Sequence, residues 1–246
     1  MSSTSATAHS TPAESVGAIR VVDLLARIEK PAAALAALAV LAAFAMILFY
    51  TPVEAEQGEV QKIFYVHVPS AWTAFLAVTI VFVSSILFLL TRDRVWDEIA
   101  ASSGEIALVF LSIVLTTGPL WGRPVWNTWW TWDARLTYTL ILWLVFAAYQ
   151  LVRPFAGESE RGARFAAVLS IVGFADLPII HVSVLWWRTL HPKPVVMDPV
   201  GGKHLDPAMF QTLMFTLGAW TLLYLFFLAK RVQIEHRRNE LDAAGR

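Results

Sequence analysis

The chain of 246 residues contains no cysteine. Disulfides, thiolate metal ligands and thiol redox chemistry within the chain are therefore excluded, and any thiols needed for its function must belong to a partner. Charged residues are also scarce, at 15% of the chain, where a soluble domain has about a quarter. The net charge is zero, and the absence of a basic patch argues against a nucleic-acid partner.

Two sequence signatures of catalysis are missing as well. The chain has no Gly-x-x-x-x-Gly-Lys-Ser/Thr loop to cradle phosphates, so any ATP would be hydrolysed by another subunit. It also lacks a nucleophile–base arrangement typical of hydrolases. We therefore expect a binding or transport subunit rather than an enzyme. The first residues do not form a signal-peptide pattern, and we expect the first apolar run to direct membrane insertion.

Long apolar runs dominate the chain, which is 57% hydrophobic with a mean hydropathy of +0.58. Each run is close to the ~20 residues that a helix needs to cross a bilayer. The sequence therefore predicts an all-α integral membrane protein with six transmembrane helices, at about 31–50, 69–90, 99–120, 136–152, 165–180 and 208–229. The fifth run contains Gly173, Asp176 and Pro178, which predict a bend or break near its outer end.

The chain divides into three regions. Residues 1–30 are expected to form a disordered tail followed by a short amphipathic helix on the membrane surface. Residues 31–230 form the predicted membrane domain, and residues 231–246 a cytoplasmic tail.

Lysines and arginines fall unequally on the two sides of the predicted spans. One side carries Arg20, Arg27, Lys30, Arg92, Arg94, Arg153, Arg161, Arg164, Lys230, Arg231, Arg237, Arg238 and Arg246. The other carries only Lys62, Arg123, Arg135, Arg188, Lys193 and Lys203. The positive-inside rule then puts both termini in the cytoplasm of a multi-pass protein of the cytoplasmic (inner) membrane. Loops 51–68, 121–137 and 181–207 are expected to face the periplasm or cell exterior.

A tryptophan-rich segment at residues 121–137 joins the third and fourth spans. Five of the 11 tryptophans lie in it, namely Trp121, Trp126, Trp129, Trp130 and Trp132. Their wide apolar faces, with Arg123 and Arg135 beside them, could form a platform for a large planar anion. A porphyrin with its propionates fits that description. The alternative is an aromatic belt at the membrane interface, where tryptophan collects in any case.

Two histidines lie at the outer mouths of different spans. His67 precedes Pro69 at the start of the second span, and His181 follows the fifth. Two imidazoles flanking one aromatic platform could hold haem iron from both axial directions. Alternatively, each is only hydrogen-bonded at the interface. His191 could orient propionates or act as an alternative ligand, and His204 in the same loop is a weaker candidate.

Several side chains could support such a site. Arg123, Arg135 and Arg188 could pair with carboxylates, or they could instead extend towards the interface or pair with Asp133. Asp133 is expected to cap the fourth helix. Trp186 and Trp187 could extend the aromatic platform, or they could belong to an aromatic belt at the interface.

Two acidic residues, Asp176 and Glu105, lie within predicted spans. Acids inside a membrane are candidate functional residues. Asp176 could orient His181 or stabilise its charged form, whereas Glu105 is expected to be structural.

These motifs resemble those of a known family. The segment Trp121-Gly-Arg-Pro-Val-Trp-Asn-Thr-Trp-Trp-Thr-Trp-Asp-Ala-Arg-Leu-Thr137 is similar to the tryptophan-rich WWD signature of haem-handling membrane proteins. Within that group the chain resembles the haem exporter protein C (CcmC) family of cytochrome c maturation. Tyr65-Val-His-Val-Pro69 and Leu177-Pro-Ile-Ile-His181, with the following Trp186-Trp187-Arg-Thr-Leu-His191, match its two haem-ligand motifs.

The resemblance implies a function, with His67 and His181 as the axial ligands. The protein would bind haem b as cargo at the outer face of the membrane and present it to the periplasmic chaperone CcmE. It would work with the ABC-transporter subunits CcmA and CcmB and with the small subunit CcmD. Two alternatives remain open: a haem–cytochrome c ligase of the same tryptophan-rich group, and a membrane transporter subunit without haem ligation.

Overall fold

The structure is a computed structural model that describes residues 12–156, 160–187, 189–191 and 205–244. The described residues form seven α-helices and no β-strand. The helices are α1 (Pro12–Ala45), α2 (Phe64–Thr91), α3 (Arg94–Trp126), α4 (Ala134–Ala156), α5 (Glu160–Phe174), α6 (Asp176–Trp186) and α7 (Pro207–Ala244). A π-helical turn at Met46–Tyr50 continues α1, and a 3₁₀ turn at Glu59–Ile63 leads into α2.

Six helical stretches in the described chain are long and apolar enough to cross a membrane. They are Glu29–Tyr50, Glu59–Thr91, Arg94–Trp126, Ala134–Arg153, Arg161–Trp186 and Pro207–Asn239. The predicted six-helix, all-α membrane architecture is therefore confirmed. One end of the bundle carries the tryptophan-rich segment and is called the tryptophan end. The opposite end is called the basic end.

Several helices begin or end at other residues than the sequence predicts. α1 passes through Pro31 without a break, so the first span continues directly from a helix that begins at Pro12. α2 begins at Phe64 and contains Pro69, which places His67 in the first turn of the helix rather than on the loop before it. Pro69 is the sixth residue of α2, beyond its first turn, so it lacks the amide that would otherwise donate to the carbonyl of Tyr65.

The fifth span is divided into two helices, as the sequence predicts. α5 ends at Phe174, α6 begins at Asp176, and the amide of Ala175 bonds to the carbonyl of Val172 at 3.2 Å. Gly173 packs so closely on α4 that a Cβ there would lie 2.8 Å from Cγ1 of Val145. The break sets the rotation of α6, and so determines which of its residues face the bundle.

The core of the bundle lies between α2, α3 and α7, with α1 packed on α7 and α4 packed on α3, α5 and α6. Its largest fully buried side chains include Tyr65, Tyr149, Tyr224 and Phe146. Interhelical hydrogen bonds satisfy many of the polar groups. For example, Nε1–H of Trp220 donates to Oγ of Ser70 at 3.0 Å, and Ser103 bonds to Tyr224 at 2.9 Å. Such bonds join helices in a membrane, where an unpaired polar group is costly.

Ion pairs collect at the basic end. Arg153 on α4 forms a two-pronged pair with Asp97 on α3, with N···O distances of 2.9 and 2.8 Å. Glu105, the acid predicted to be structural, pairs with Arg231 of α7 at 2.6 Å. These contacts fasten α3 to α4 and α7 at the end of the bundle far from the tryptophans.

Candidate functional site

A small cavity at the tryptophan end brings together several predicted site residues. It has a volume of about 60 Å³. Its walls come from α2, α3, α4, α6 and the segment after α6, and are formed by His67, Ala71, Phe75, Leu111, Val114, Leu115, Gly118, Pro119, Trp130, Arg135, Leu136, Thr139, Ile180 and His191. Most of the lining is apolar, and two imidazoles, one guanidinium and one indole supply its main polar groups.

His67 is fixed from the side of α3. Its Nδ1 lies 2.9 Å from Oγ1 of Thr117, and its ring centroid is 5.9 Å from that of Trp121. The absence of a side chain at Gly118 lets α3 approach the ring closely, since a Cβ there would lie 3.4 Å from Cε1 of His67. The imidazole is therefore partly buried and held by contacts along one edge, with Nε2 as the remaining ring nitrogen.

His191 reaches the same cavity from the segment that follows α6. Its ring centroid lies 5.2 Å from that of Trp126, and its backbone amide donates to Oγ1 of Thr189 at 3.2 Å. Burial and the nearby Arg135 guanidinium lower the pKa of His191 to about 4, although Asp133, with Oδ2 at 3.9 Å from Nδ1, acts in the opposite direction. At neutral pH the ring is therefore neutral, which is the form that binds metals.

Trp130 separates the main cavity from a smaller neighbouring one. The second cavity, of about 20 Å³, shares Trp130 and His191 with the first and is also lined by Trp126 and Trp129. Among the described residues, the buried Nε1–H of Trp130 finds no acceptor. Buried polar groups are nearly always hydrogen-bonded, so this donor at the cavity wall requires an acceptor beyond the described residues.

The remaining tryptophans of the segment lie at different depths. Trp121 is partly buried, and its Nε1–H donates to Oε1 of Gln57 at 2.8 Å. Trp129 and Trp132 are exposed, at 59% and 77%. Trp132 meets Trp130 edge to face, with 5.8 Å between ring centroids. The segment therefore combines partly buried indoles beside the two histidines with exposed indoles at the surface.

The predicted helix cap at Asp133 is confirmed. Its Oδ1 accepts from the amide of Leu136 at 3.1 Å, and its Oδ2 accepts from Oγ1 of Thr131 at 3.0 Å. This cap begins α4 so that Arg135 lines the cavity. Arg123 instead is exposed on the last turn of α3 and donates to the side chain of Asn127.

His181 lies outside the set of described residues that line the cavity. It is exposed and shares one face of α6 with the exposed Pro178 and Leu185, whereas the adjacent Ile180 faces the cavity. The structure thus brings His67 together with His191 rather than with His181. Asp176 begins α6 and is largely buried, with its Oδ2 lacking a hydrogen-bond partner among the described residues.

The paired tryptophans after His181 extend the aromatic surface at the end of α6. Trp186 and Trp187 are exposed at 70% and 46%, and their ring centroids are 5.9 Å apart. The ring centroid of Trp187 also lies 6.2 Å from that of Tyr138 on α4. Arg188 and His204 lie outside the described residues.

Three contributors to the site were not predicted from the sequence. Thr117 and Gly118 lie near the end of an apolar run, where only their place one helical turn before Trp121 could have drawn attention. Gln57 lies in a loop of acidic residues, and nothing in its local sequence indicates that it bonds to Trp121. Each acts through a contact between distant segments, which a local pattern does not reveal.

Comparison with known proteins identifies the family. A family model described as heme exporter protein C, CcmC, matches residues 14–245. The chain belongs to the haem exporter protein C family. The match extends over all six candidate spans and includes both cavity histidines, His67 and His191, as well as the tryptophan-rich segment.

Individual family relatives are similar over most of their length. The heme exporter protein C of Bradyrhizobium diazoefficiens is 40% identical over 189 residues, which are 76% of this chain and 72% of the relative. The protein of the same name from Escherichia coli strain K12 is 34% identical over 175 residues, or 71% and 69% of the two chains. A putative cytochrome c biosynthesis ccmC-like mitochondrial protein of Marchantia polymorpha is 33% identical over 187 residues, or 76% and 79%.

Proposed function

We propose that this protein is a haem-binding membrane subunit of a haem export system for cytochrome c maturation. One observation carries the proposal: two histidines from distant segments, His67 and His191, line one cavity walled by Trp130 in a chain of the haem exporter protein C family. Its relatives are named for haem export and cytochrome c biosynthesis. The protein would hold and transfer haem, here haem b, as cargo rather than convert a substrate.

The donor set suits a haem group. Two neutral imidazoles can bind iron axially, indole faces can cover the macrocycle, and a guanidinium can pair with a propionate. His191 is neutral at neutral pH, so it needs to lose no proton before it binds iron. The candidate partners for haem carboxylates are Arg135 and the Nε1–H of Trp130, which has no acceptor in the part of the chain that the structure describes.

The size of the cavity constrains how haem would enter. Pockets for drug-sized ligands have volumes of roughly 300–1,000 Å³, whereas this cavity has about 60 Å³. A tetrapyrrole between the two imidazoles therefore requires that His67 and His191 move apart. Because the segment that carries His191 lies outside any helix, it can move at a lower cost than His67, which is anchored in α2.

The second axial ligand has two candidates. The sequence pairs His67 with His181, and the geometry favours His191, because His191 lines the cavity of His67 and His181 faces away from it. We therefore propose His67 and His191 as the axial pair and keep His181 as the alternative. The two assignments predict opposite effects of His191→Ala and His181→Ala on the haem spectrum, so one set of spectra distinguishes them.

The exposed indoles would form the surface from which haem is handed on. Trp129, Trp132 and Trp186 are between 59% and 77% exposed at the tryptophan end, and the lysine and arginine distribution supports an outward-facing position for that end. An apolar surface of this kind suits a partner protein. We propose that the haem chaperone CcmE is received here, and that CcmA, CcmB and CcmD complete the complex and supply ATP hydrolysis.

Visible spectra of the detergent-purified protein test the ligand assignment. The protein is isolated from haem-replete cells as wild type and as His67→Ala, His191→Ala and His181→Ala. We expect a six-coordinate haem spectrum in the wild type, its loss or a strong shift in the first two variants, and no change in the third. Added imidazole should restore the spectrum of His191→Ala by replacing the missing ligand.

Two results would contradict the assignment in different ways. If His181→Ala shifts the Soret band and His191→Ala does not, the pairing predicted from the sequence is correct. If all three variants keep the wild-type spectrum, neither pair ligates the iron. A haem-free wild-type protein, isolated with its partners present, would argue against the haem-binding function itself.

A further inference from the structure

We propose that Thr117 is a positioning residue that fixes the tautomer of His67 so that Nε2 carries the lone pair offered to haem iron. The role of that lone pair rests on the function proposed above, whereas the tautomer is a property of the haem-free protein. The protons on the hydrogen-bonded atoms around Thr117 determine the tautomer of His67.

The hydroxyl of Thr117 has one proton and two close neighbours that compete for it, while the carbonyl oxygen of Val114 is more distant at 3.5 Å. Its Oγ1 lies 2.7 Å from the carbonyl oxygen of Ile113 and 2.9 Å from Nδ1 of His67. The carbonyl oxygen can only accept, so a hydrogen bond to Ile113 requires the hydroxyl to donate. Oγ1 is then left with lone pairs towards the imidazole. Both contacts are satisfied together only if Nδ1 of His67 carries a proton and donates it to Thr117.

This proton count determines the state of the other ring nitrogen. A neutral imidazole has a single N–H, so a proton on Nδ1 leaves Nε2 of His67 unprotonated and able to bind a metal. In the opposite arrangement Thr117 would donate to Nδ1, the Ile113 carbonyl would lose its second hydrogen bond, and Nε2 would be protonated and unable to bind iron. Metal-binding histidines are commonly held by such a bond from the other nitrogen.

A second contact keeps the ring from turning over. Gly118 follows Thr117 on α3 and lies against Cε1 of His67, where an added Cβ would be 3.4 Å away. Trp121, with its ring centroid 5.9 Å from that of His67, is one turn further along the same helix. Three successive contacts from α3 therefore hold one edge of the imidazole, and the hydrogen bond from Nδ1 selects its orientation.

The tautomer can be read directly in the haem-free protein. Histidine ¹⁵N chemical shifts distinguish protonated from unprotonated ring nitrogens, and His67→Gln identifies the signals. We expect the Nδ1–H tautomer in the wild type and in Thr117→Ser, which keeps the hydroxyl. Thr117→Val preserves the shape of the side chain but removes the acceptor, and it should give a mixture or the Nε2–H form.

Thr116 provides a matched control on the same helix. Its Oγ1 also donates to a carbonyl four residues earlier, that of Ser112, at 2.8 Å, and its side chain is exposed. Thr116→Val removes the same kind of bond, so it should leave the His67 signals unchanged. The proposal is overturned if the wild type shows the Nε2–H form, or if Thr117→Val has the wild-type tautomer.

Haem retention gives a second readout. Loss of a group that orients a metal ligand typically weakens metal affinity ~10–100-fold. We expect a change of that size in the haem dissociation constant of Thr117→Val, and values close to wild type for Thr117→Ser and Thr116→Val. An altered tautomer with unaltered haem affinity would contradict the positioning role.

The two readouts separate this inference from the proposed function. If His67→Ala leaves the haem spectrum unchanged, the axial role of His67 fails although the tautomer assignment still stands. If His67 binds haem and the haem-free protein has the Nε2–H tautomer, the role of Thr117 fails and the proposed function is untouched.

Discussion

Trp121 donates a hydrogen bond of 2.8 Å from its indole Nε1–H to the side-chain oxygen of Gln57. The bond joins two segments 64 residues apart, because Gln57 lies in the loop between the first two spans and Trp121 near the end of α3. The loop is itself a tight turn, in which Oε2 of Glu54 accepts from the amides of Glu56 and Gln57 at 2.9 and 2.6 Å. The tryptophan that lies against His67 is thus held in place by a preformed turn.

Replacing Gln57 should loosen this part of the tryptophan end. Gln57→Leu leaves the indole N–H without its acceptor, and we expect a loss of about 0.5–1.5 kcal/mol together with faster amide exchange in residues 51–63. Hydrogen–deuterium exchange measures the second effect. Gln57→Glu keeps an acceptor oxygen at the same position and should exchange as slowly as the wild type. Equal exchange in wild type and Gln57→Leu would show that the bond does not hold the loop.

The lowered pKa of His191 leads to a second prediction. Its folded pKa of about 4 lies below the ordinary histidine value of about 6.5, so the folded state favours the neutral ring. The stability that this preference contributes is complete above about pH 6.5 and is lost as the pH falls from there towards 4. In the haem-free protein, we expect the His191 ring to stay neutral at pH 5.5, where a solvent-exposed histidine is mostly charged.

Two substitutions should move this pKa in opposite directions. Arg135→Gln removes a cation that disfavours the charged ring, so the pKa of His191 should rise towards its ordinary value. Asp133→Asn removes the anion that favours the charged ring, so the pKa should fall further. Histidine NMR of the haem-free protein over pH 3.5–8 measures both shifts. A His191 that titrates near pH 6.5 in the wild type would contradict the burial of this ring.

Much of the fold follows from local patterns in the sequence. The apolar runs predict six spans, and all six are found in the described chain. In a membrane, a long apolar segment forms a helix because a helix satisfies the backbone hydrogen bonds within the segment itself. The break in the fifth span is predicted by Gly173 and Pro178, and the cap on α4 by Asp133. Each of these features depends on a single segment, so it can be predicted from the residues of that segment alone.

Other features depend on how segments meet. α3 extends through Pro119 and Pro124 to Trp126, although proline usually marks the end of a helix, so the first part of the tryptophan-rich segment is helical rather than loop. Which histidine faces His67 is decided by the rotation of α6 after its break at Ala175. Residue spacing does not reveal how α6 is rotated after the break. It also does not reveal that the segment after α6 brings His191 to the cavity.

At the basic end, Glu98 should contribute strongly to the position of α7. It is 4% exposed and is bonded to Nδ1 of His236 at 3.0 Å and to Nδ2 of Asn239 at 2.9 Å. Glu98→Ala removes the carboxylate that both side chains contact, and we expect a cost of about 1–3 kcal/mol with faster exchange in the last turns of α7. Glu98→Gln keeps one acceptor oxygen and should lower the stability less than Glu98→Ala does. If the alanine variant is as stable as wild type, these bonds do not fasten α7.

A tight contact between α3 and α4 at Gly104 leads to a steric prediction. A Cβ at Gly104 would lie 2.6 Å from Cε1 of Tyr149, a side chain that is 1% exposed and whose hydroxyl accepts from Arg153 at 3.2 Å. The tyrosine is held on both sides and cannot move aside. We therefore expect Gly104→Ala to lower the free energy of unfolding by about 1–3 kcal/mol, as overpacking of a filled core does.

Gly218 on α7 provides the matched control, because a Cβ there would meet nothing within 4 Å. Gly218→Ala should be neutral or stabilising by up to about 1 kcal/mol, since alanine favours a helix more than glycine. The cause of the Gly104 effect can be isolated with Tyr149→Leu, which removes the clashing ring. In that background the added cost of Gly104→Ala should largely disappear, and an undiminished cost would show that the strain comes from elsewhere than the contact with Tyr149.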